Sequence, residues 1–293
     1  MNFRVVHTTR YRYSQPVTHG HSEAHLRPRA CDRQRCIEST IVIEPPPARS
    51  RERLDYFGNP VLYFTLQEPH VELEVTATSD VEMATAKREL PASGPWDTVA
   101  PRLGARTDEA SLGARELILS SPLAQPNAEL AGFAHPSFVP GRPLLEAVHD
   151  LSRRIFREFV YDPSFTTIAT PLADVLERRR GVCQDFAHLA IGCLRSLGLP
   201  ARYVSGYVES DSLTGTTGVR GAEASHAWFA VFDPDAGWID FDPTNDQIVG
   251  EQHVTVAWGR DYADVTPLRG VVFGGGGHTL EVEVEMTRTE GGR

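Results

Sequence analysis

The sequence predicts an α+β protein, with a β-rich N-terminal region, a proline-broken connection, and a second domain in which helices precede an antiparallel sheet. Three observations carry this. Short runs rich in Val, Ile, Tyr, Phe and Thr crowd the first 85 residues. Apolar residues recur at helical spacing between positions 144 and 198. Strand-like runs then return between 201 and 257. With 293 residues, 41% hydrophobic and 23% charged, the chain has room for two domains and an ample core.

Residues 3–13, 38–43 and 61–66 have strand composition, and Val71, Leu73 and Val75 alternate with Glu72, Glu74 and Thr76. Pro45-Pro46-Pro47 and Phe57-Gly58-Asn59-Pro60 punctuate these runs. Residues 1–85 therefore read as a small β-sandwich-like domain of hairpins with one wet face. Prolines at 91, 95, 101, 122, 126, 136, 140 and 143 interrupt any long element in residues 86–143, which read as a connecting region with one short helix at 108–119. Leu145, Val148, Leu151, Ile155 and Phe159 share one face of a helix over 144–159, where the second domain, residues 144–270, begins. A short helix over 170–176 opens on a Thr170 cap with Pro171 in its first turn. From 181 to 198, Phe186, Ala190, Cys193, Leu194 and Leu197 form a buried stripe that Gly198-Leu199-Pro200 ends. Strands are expected at 201–208, 227–232, 238–241 and 254–257. In the C-terminal segment 271–293, Leu280, Val282, Val284 and Met286 alternate with glutamates as a half-buried strand. The flexible glycine run before it, Gly274-Gly275-Gly276-Gly277, would let that strand return to the N-terminal sheet.

The formal charge, 29 − 39 = −10, and a pI near 5.6 argue against nucleic acid as a partner, because phosphate binding draws on clustered Lys and Arg. The one basic run, Arg178-Arg179-Arg180, reads as a solvated face near the cleft. Four cysteines are too sparse for a disulfide framework, so all are expected to be reduced. The first residues lack the apolar core of a signal peptide, and no run of about 18 apolar residues suits a membrane helix. A cytoplasmic protein without a membrane partner is the expectation. Cys31 and Cys36 with His19, His21 and His25 lack the spacing of a structural zinc site, so no metal or other cofactor is expected.

The sharpest chemistry lies in Arg180-Gly181-Val182-Cys183-Gln184-Asp185-Phe186, which sets a cysteine in the first turn of the striped helix. The positive end of a helix and its unpaired N–H groups favour thiolate over thiol, so Cys183 reads as a nucleophile and Cys193, on the stripe, as a small hydrophobe. His226 opens a strand-like run, and after the turn Asp233-Pro234-Asp235-Ala236-Gly237 a second run ends at Asp242. A hairpin makes these two neighbours, so the carboxylate can orient the imidazole and favour its protonated form. Asp240 competes for this role from the same strand face. His188, five residues past Cys183, faces away from it and reads as structural. The polar loop 209–224, directly before His226, reads as a lip over the cleft.

These blocks resemble the transglutaminase-like superfamily, whose cysteine, histidine and aspartate motifs come in this order. Gly181-Val182-Cys183, His226-Ala227-Trp228 and the stretch from Trp238 to Thr244 carry the resemblance. It implies a papain-like α+β core preceded by the extra N-terminal domain of bacterial members, with Cys183 as nucleophile, His226 as general base and acid, and Asp242 rather than Asp240 as orienter. The shared step is thiolate attack on a carboxamide and formation of a thioester. The Cys183 N–H is expected as one oxyanion donor. Tyr161 or Gln184 is the candidate for the second, and Trp228 and Trp238 are candidate pocket walls. No acidic loop suggests calcium. The sequence thus points to a thiol-dependent hydrolase acting on a peptide or protein amide. Acyl transfer to an amine, or a catalytically silent scaffold, are the alternatives.

Overall fold

The computed structural model describes residues 1–84, 89–165, 170–209 and 225–289 of the chain. The N-terminal strands are β1 (Asn2–Ala24), β2 (Gln34–Glu44), β3 (Arg49–Leu54), β4 (Pro60–Leu66) and β5 (His70–Met83). They follow the order β2-β5-β1-β4-β3 in one antiparallel sheet. At 23 residues β1 runs just over twice the expected length, its pairing with β5 resuming at Val17 after a bulge between Arg12 and Val17. β3 has no apolar alternation and is exposed throughout, so its sequence carried no strand signal.

Residues 86–143, expected as connection, hold three short α-helices among the described residues: α1 (Val99–Gly104), α2 (Glu109–Glu116) and α3 (Ala128–Ala134). Asp108 caps α2 by accepting from Ser111 N at 2.9 Å, as its position just before the helix suggests. Val99, Leu103, Leu130 and Phe133 of these helices join one core with Phe3 and Val5 of β1. Apolar burial, not element length, therefore decides what belongs to the domain.

The second domain continues with α4 (Leu144–Glu158), β6 (Val160–Tyr161), α5 (Leu172–Arg178), β7 (Arg180–Gly181) and α6 (Cys183–Ser196). Pro171, not Thr170, stands at the cap of α5 and no side chain caps it, so the Thr cap expected there is not made. Gly198, at φ +73°, ends α6 by releasing the chain in a left-handed turn. The strands β8 (Ala201–Val208), β9 (His226–Asp233), β10 (Gly237–Asp242), β11 (Gln247–Ile248) and β12 (His253–Gly259) form a second antiparallel sheet ordered β11-β10-β9-β8-β12. α6 packs on β8 and β9 and is covered by α3.

Two final strands, β13 (Leu268–Gly274) and β14 (His278–Thr289), return to pair with β1 over residues 17–24 and 2–13 respectively. The glycine run between them is a hydrogen-bonded crossing rather than a free connector. Gly274, Gly275 and Gly276 take positive φ, and Ser14 N and Gln15 N donate to the carbonyls of Gly277 and Gly275. β14 is not half-buried along its length. Leu280 and Val282 stay 50% and 38% exposed, because β14 is a sheet edge with nothing packed over them. Ala24, Ile43, Phe64, Leu66, Val75 and Leu268 meet in one cluster. The single sheet therefore curls on itself and gives sandwich-like packing.

The N-terminal region also closes the open edge of the second sheet. Gln34 accepts from Thr255 N at 2.7 Å and donates to Thr255 O at 2.5 Å. Asn59 accepts from Trp258 N at 3.0 Å and donates to Trp258 O at 2.8 Å. Two side-chain amides thus stand in for a missing strand beside β12. Gln34→Met leaves buried backbone groups without partners and is expected to cost about 2 kcal/mol in a urea titration. A loss within about 0.5 kcal/mol, the range of ordinary surface changes, would contradict this.

Candidate active site

The approach to Cys183 is fixed by two short pairings. β6 and β7 run parallel, with Tyr161 opposite Gly181, so the segment that delivers the cysteine is held before α6 begins. Asp185 then turns back and accepts from Val182 N at 2.8 Å, tying down the first turn. A Cβ on Gly181 would stand 2.8 Å from Asp185 Cβ and 2.9 Å from its Oδ2, so only glycine admits this closure. That accounts for the Gly-x-Cys spacing. Cys183 is left 8% exposed at the positive end of a 14-residue helix.

His226 opens β9 and Asp242 ends β10, and the hairpin brings His226 Nε2 to 2.8 Å from Asp242 Oδ2. Gly206 pairs with His226 across β8 and β9. A Cβ there would come 2.5 Å from the Trp228 ring, so glycine lets that ring lie under the site. Burial alone would lower the His226 pKa. The charge and hydrogen bond of Asp242, joined by Cys183, outweigh it and push the imidazole up to about 10. Burial likewise opposes the Asp242 anion, but His226 and His253 hold its carboxyl well below the usual range. Among the described residues no hydrogen-bond partner reaches the buried His226 Nδ1, so this ring nitrogen is open to a further partner. The arrangement suits a charged imidazole able to give and retake one proton.

Two partners of Asp242 were not foreseen. Asn245 donates its side-chain amide to Oδ2 at 2.8 Å, and His253 Nε2 lies 3.2 Å from the same oxygen. Asn245 falls just past the Asp242-Pro243-Thr244 match, a signal that could have found it. His253 comes from the start of β12, eleven residues on, where nothing local marks it. His226, Asp242 and His253 offer ligand atoms within 4.8 Å of one another. Their N···O contacts of 2.8 and 3.2 Å are hydrogen-bond distances, shorter than the roughly 3.4 Å between ligand atoms around a tetrahedral metal with bonds of about 2.1 Å, so protons fit here better than an ion.

The other candidates separate. Asp240 accepts from Trp228 Nε1 at 3.1 Å and pairs with Arg33 at 3.2 Å, away from His226. Trp228 is wholly buried under the site and is core, not pocket wall. Trp238 is a wall, but of a separate cavity beside the N-terminal region. Gln184 follows Cys183, half-buried in the first turn of α6, and Tyr161 stands beside Gly181. His188 Nε2 accepts from Tyr262 N at 3.1 Å, a structural role. Cys31 and Cys36 are unpaired and join no ligand cluster with His19, His21 or His25 among the described residues. Of the loop 209–224 read as a lip, residues 210–224 lie outside the described residues.

The raised His226 pKa has a defined stability signature. Its folded value of about 10 lies above the ordinary 6.5. Its contribution is therefore fully present below about pH 6.5 and is lost as pH rises through about 10. A Tm scan from neutral pH to pH 10 is expected to fall more steeply for the wild type than for Asp242→Asn, and parallel curves would contradict the ion pair. Gly181→Ala is expected to cost on the order of 2 kcal/mol by displacing Asp185, and an unchanged Tm would contradict the closure argument.

Similar proteins share this architecture. Residues 3–82 match the family model of the bacterial transglutaminase-like N-terminal region, and residues 134–243 match that of the transglutaminase-like superfamily. An uncharacterized protein of Mycobacterium tuberculosis is 39% identical over 99% of this chain and 93% of its own length. A Pseudomonas aeruginosa protein named protein-glutamine gamma-glutamyltransferase is 30% identical over 98 residues, which span 31% of this chain and 15% of that protein. The crystal structure of a candidate cysteine protease from Cytophaga hutchinsonii superposes with a TM-score of 0.74 at 21% identity, covering 100% of this chain and 92% of the other. The chain belongs to the transglutaminase-like superfamily, with the bacterial N-terminal region preceding its core.

Proposed function

We propose that this protein is a thiol-dependent amide hydrolase using Cys183, His226 and Asp242. The observation that carries the reading is the buried His226–Asp242 pair at 2.8 Å, with the free ring nitrogen Nδ1 and Cys183 as the neighbouring acid–base partner. The Cys183 thiolate attacks the carbonyl carbon of a carboxamide and forms a C–S bond. The charged His226 gives its proton to the departing nitrogen as the C–N bond breaks, leaving a thioester and neutral imidazole. Water then attacks the thioester while His226 takes its proton, and the acid leaves as the thiolate is restored. The Cys183 N–H at the start of α6 is the first oxyanion donor, with Tyr161 or Gln184 as the second. The net charge of −10 argues against nucleic acid as substrate, and the four unpaired cysteines support a reducing, cytoplasmic setting. No helix among the described residues is long and apolar enough to cross a membrane.

One observation favours a second outcome of the same thioester. The 98-residue likeness to a protein named protein-glutamine gamma-glutamyltransferase makes an amine acceptor the alternative to water. Casein and a blocked glutaminylglycine peptide, with and without a primary amine, separate the two. Hydrolysis predicts a Cys183-bound acyl adduct in intact-mass spectra and release of acid, whereas acyl transfer diverts most product to the amide at low amine concentration. Turnover by Cys183→Ala equal to wild type would overturn both. His253→Phe removes one hydrogen bond from Asp242 and is expected to lower kcat about tenfold with KM unchanged. An unchanged kcat would show that His253 does not position the pair.

A further inference from the structure

A second set of charged side chains lies one row along the sheet from the His226–Asp242 pair, outside the proposed chemistry. Register places Arg202 of β8 and Asp240 of β10 on either side of Ala230. The Arg202 residue is only 7% exposed. Its guanidinium lies over two indoles, 3.8 Å from the centre of the Trp258 ring and 4.3 Å from that of Trp238. These contacts hold the cation against the rings but satisfy none of its N–H donors.

Among the described residues those donors have no protein acceptor. No hydrogen bond or ion pair reaches Arg202 among the described residues, and its Nε is fully buried without a partner. Asp240 is the carboxylate whose charge acts most on it. Asp240 Oδ1 accepts from Trp228 Nε1 and Oδ2 pairs with Arg33 Nη2 at 3.2 Å, and neither oxygen bonds Arg202. Arg29 adds a third guanidinium 3.1 Å from the centre of the Trp258 ring, held by the Phe57 carbonyl and Asn59. Its neighbouring carboxylate, Asp55, is bound to His25 and Asn59. Three guanidinium cations thus cluster here, and the nearest carboxylates make their bonds to groups other than Arg202.

Arg33, Arg202, Trp238, Trp258 and Cys31 line a cavity of about 1160 Å³ between the N-terminal region and the second sheet. The acids on its wall besides Asp240 are Asp32, Glu109 and Glu116. They belong to the β1–β2 loop and α2, and Glu116 accepts from the Tyr56 hydroxyl. A buried guanidinium without an acceptor costs free energy that an oxyanion in the plane of its edge removes. We propose that this cavity is an oxyanion-binding site in which Arg202, with Arg33, takes the carboxylate or phosphate group of a small ligand. The tryptophans hold the guanidinium in place, and the mouth between the two regions gives a ligand access. The site is separate from Cys183 and does not depend on the proposed hydrolysis.

The test uses the full chain labelled with ¹⁵N-arginine, titrated at constant ionic strength with inorganic phosphate, acetate or chloride. A saturable shift of the Arg202 side-chain N–H signals is expected with phosphate or acetate and not with chloride, together with a rise in Tm. The stronger of the two anions identifies which group the site takes. Arg202→Lys keeps the stacked cation but loses the fork and is expected to weaken binding about tenfold or more. Arg33→Gln, at the partly exposed margin, is expected to weaken binding while keeping the fold, and serves if Arg202→Lys does not fold. An Arg202 signal that moves no more with phosphate or acetate than with chloride overturns the proposal. So does equal anion affinity in the variant that folds.

Discussion

The site depends on burying one carboxylate. Asp242 is fully buried, and a buried anion is tolerated only when its lone pairs are met. Oδ1 accepts from Thr244 N at 2.9 Å and Asn245 N at 3.3 Å, while Oδ2 gathers His226, the Asn245 amide and His253. The tight turn after β10, the start of β9 and the start of β12 must therefore arrive together. One consequence is electrostatic, since the same carboxylate that needs these donors keeps His226 charged against its own desolvation.

The N-terminal region takes part in this arrangement. β12 supplies His253 and is an edge strand, and Gln34 and Asn59 complete its hydrogen bonding from outside the sheet. Arg33, just before Gln34, pairs with Asp240, two residues before Asp242. The curled sheet thus braces the far edge of the sheet whose opposite half carries the His226–Asp242 hairpin. A single core running from Phe3 to Phe241 ties the regions together.

Much of this was legible in the sequence where the pattern was local. The stripe of α6, the Gly181-Val182-Cys183 start and the turn ending at Gly237 each write their geometry in a few residues. What stayed hidden depends on distant partners. β3 has no buried face to enforce alternation, and β14 has the alternation without the burial, because no layer covers Leu280 and Val282. His253 meets Asp242 through the pairing of β12 with β8, a long-range register that no spacing encodes. Arg202 reads as an ordinary strand residue until Trp238 and Trp258 are seen against its guanidinium. Trp238 was legible as a wall residue, but not the cavity it serves.

The central claim is that the buried Asp242 makes His226 the acid–base partner of a reactive Cys183. Substoichiometric iodoacetamide labelling at neutral pH with peptide mapping tests it most directly, comparing wild type with Asp242→Asn. The account predicts that Cys183 labels ahead of the more exposed Cys31 and Cys36, and that this lead collapses in the variant. Cys183 labelling no faster than Cys31 or Cys36, or a lead that survives the loss of the carboxylate, would contradict it.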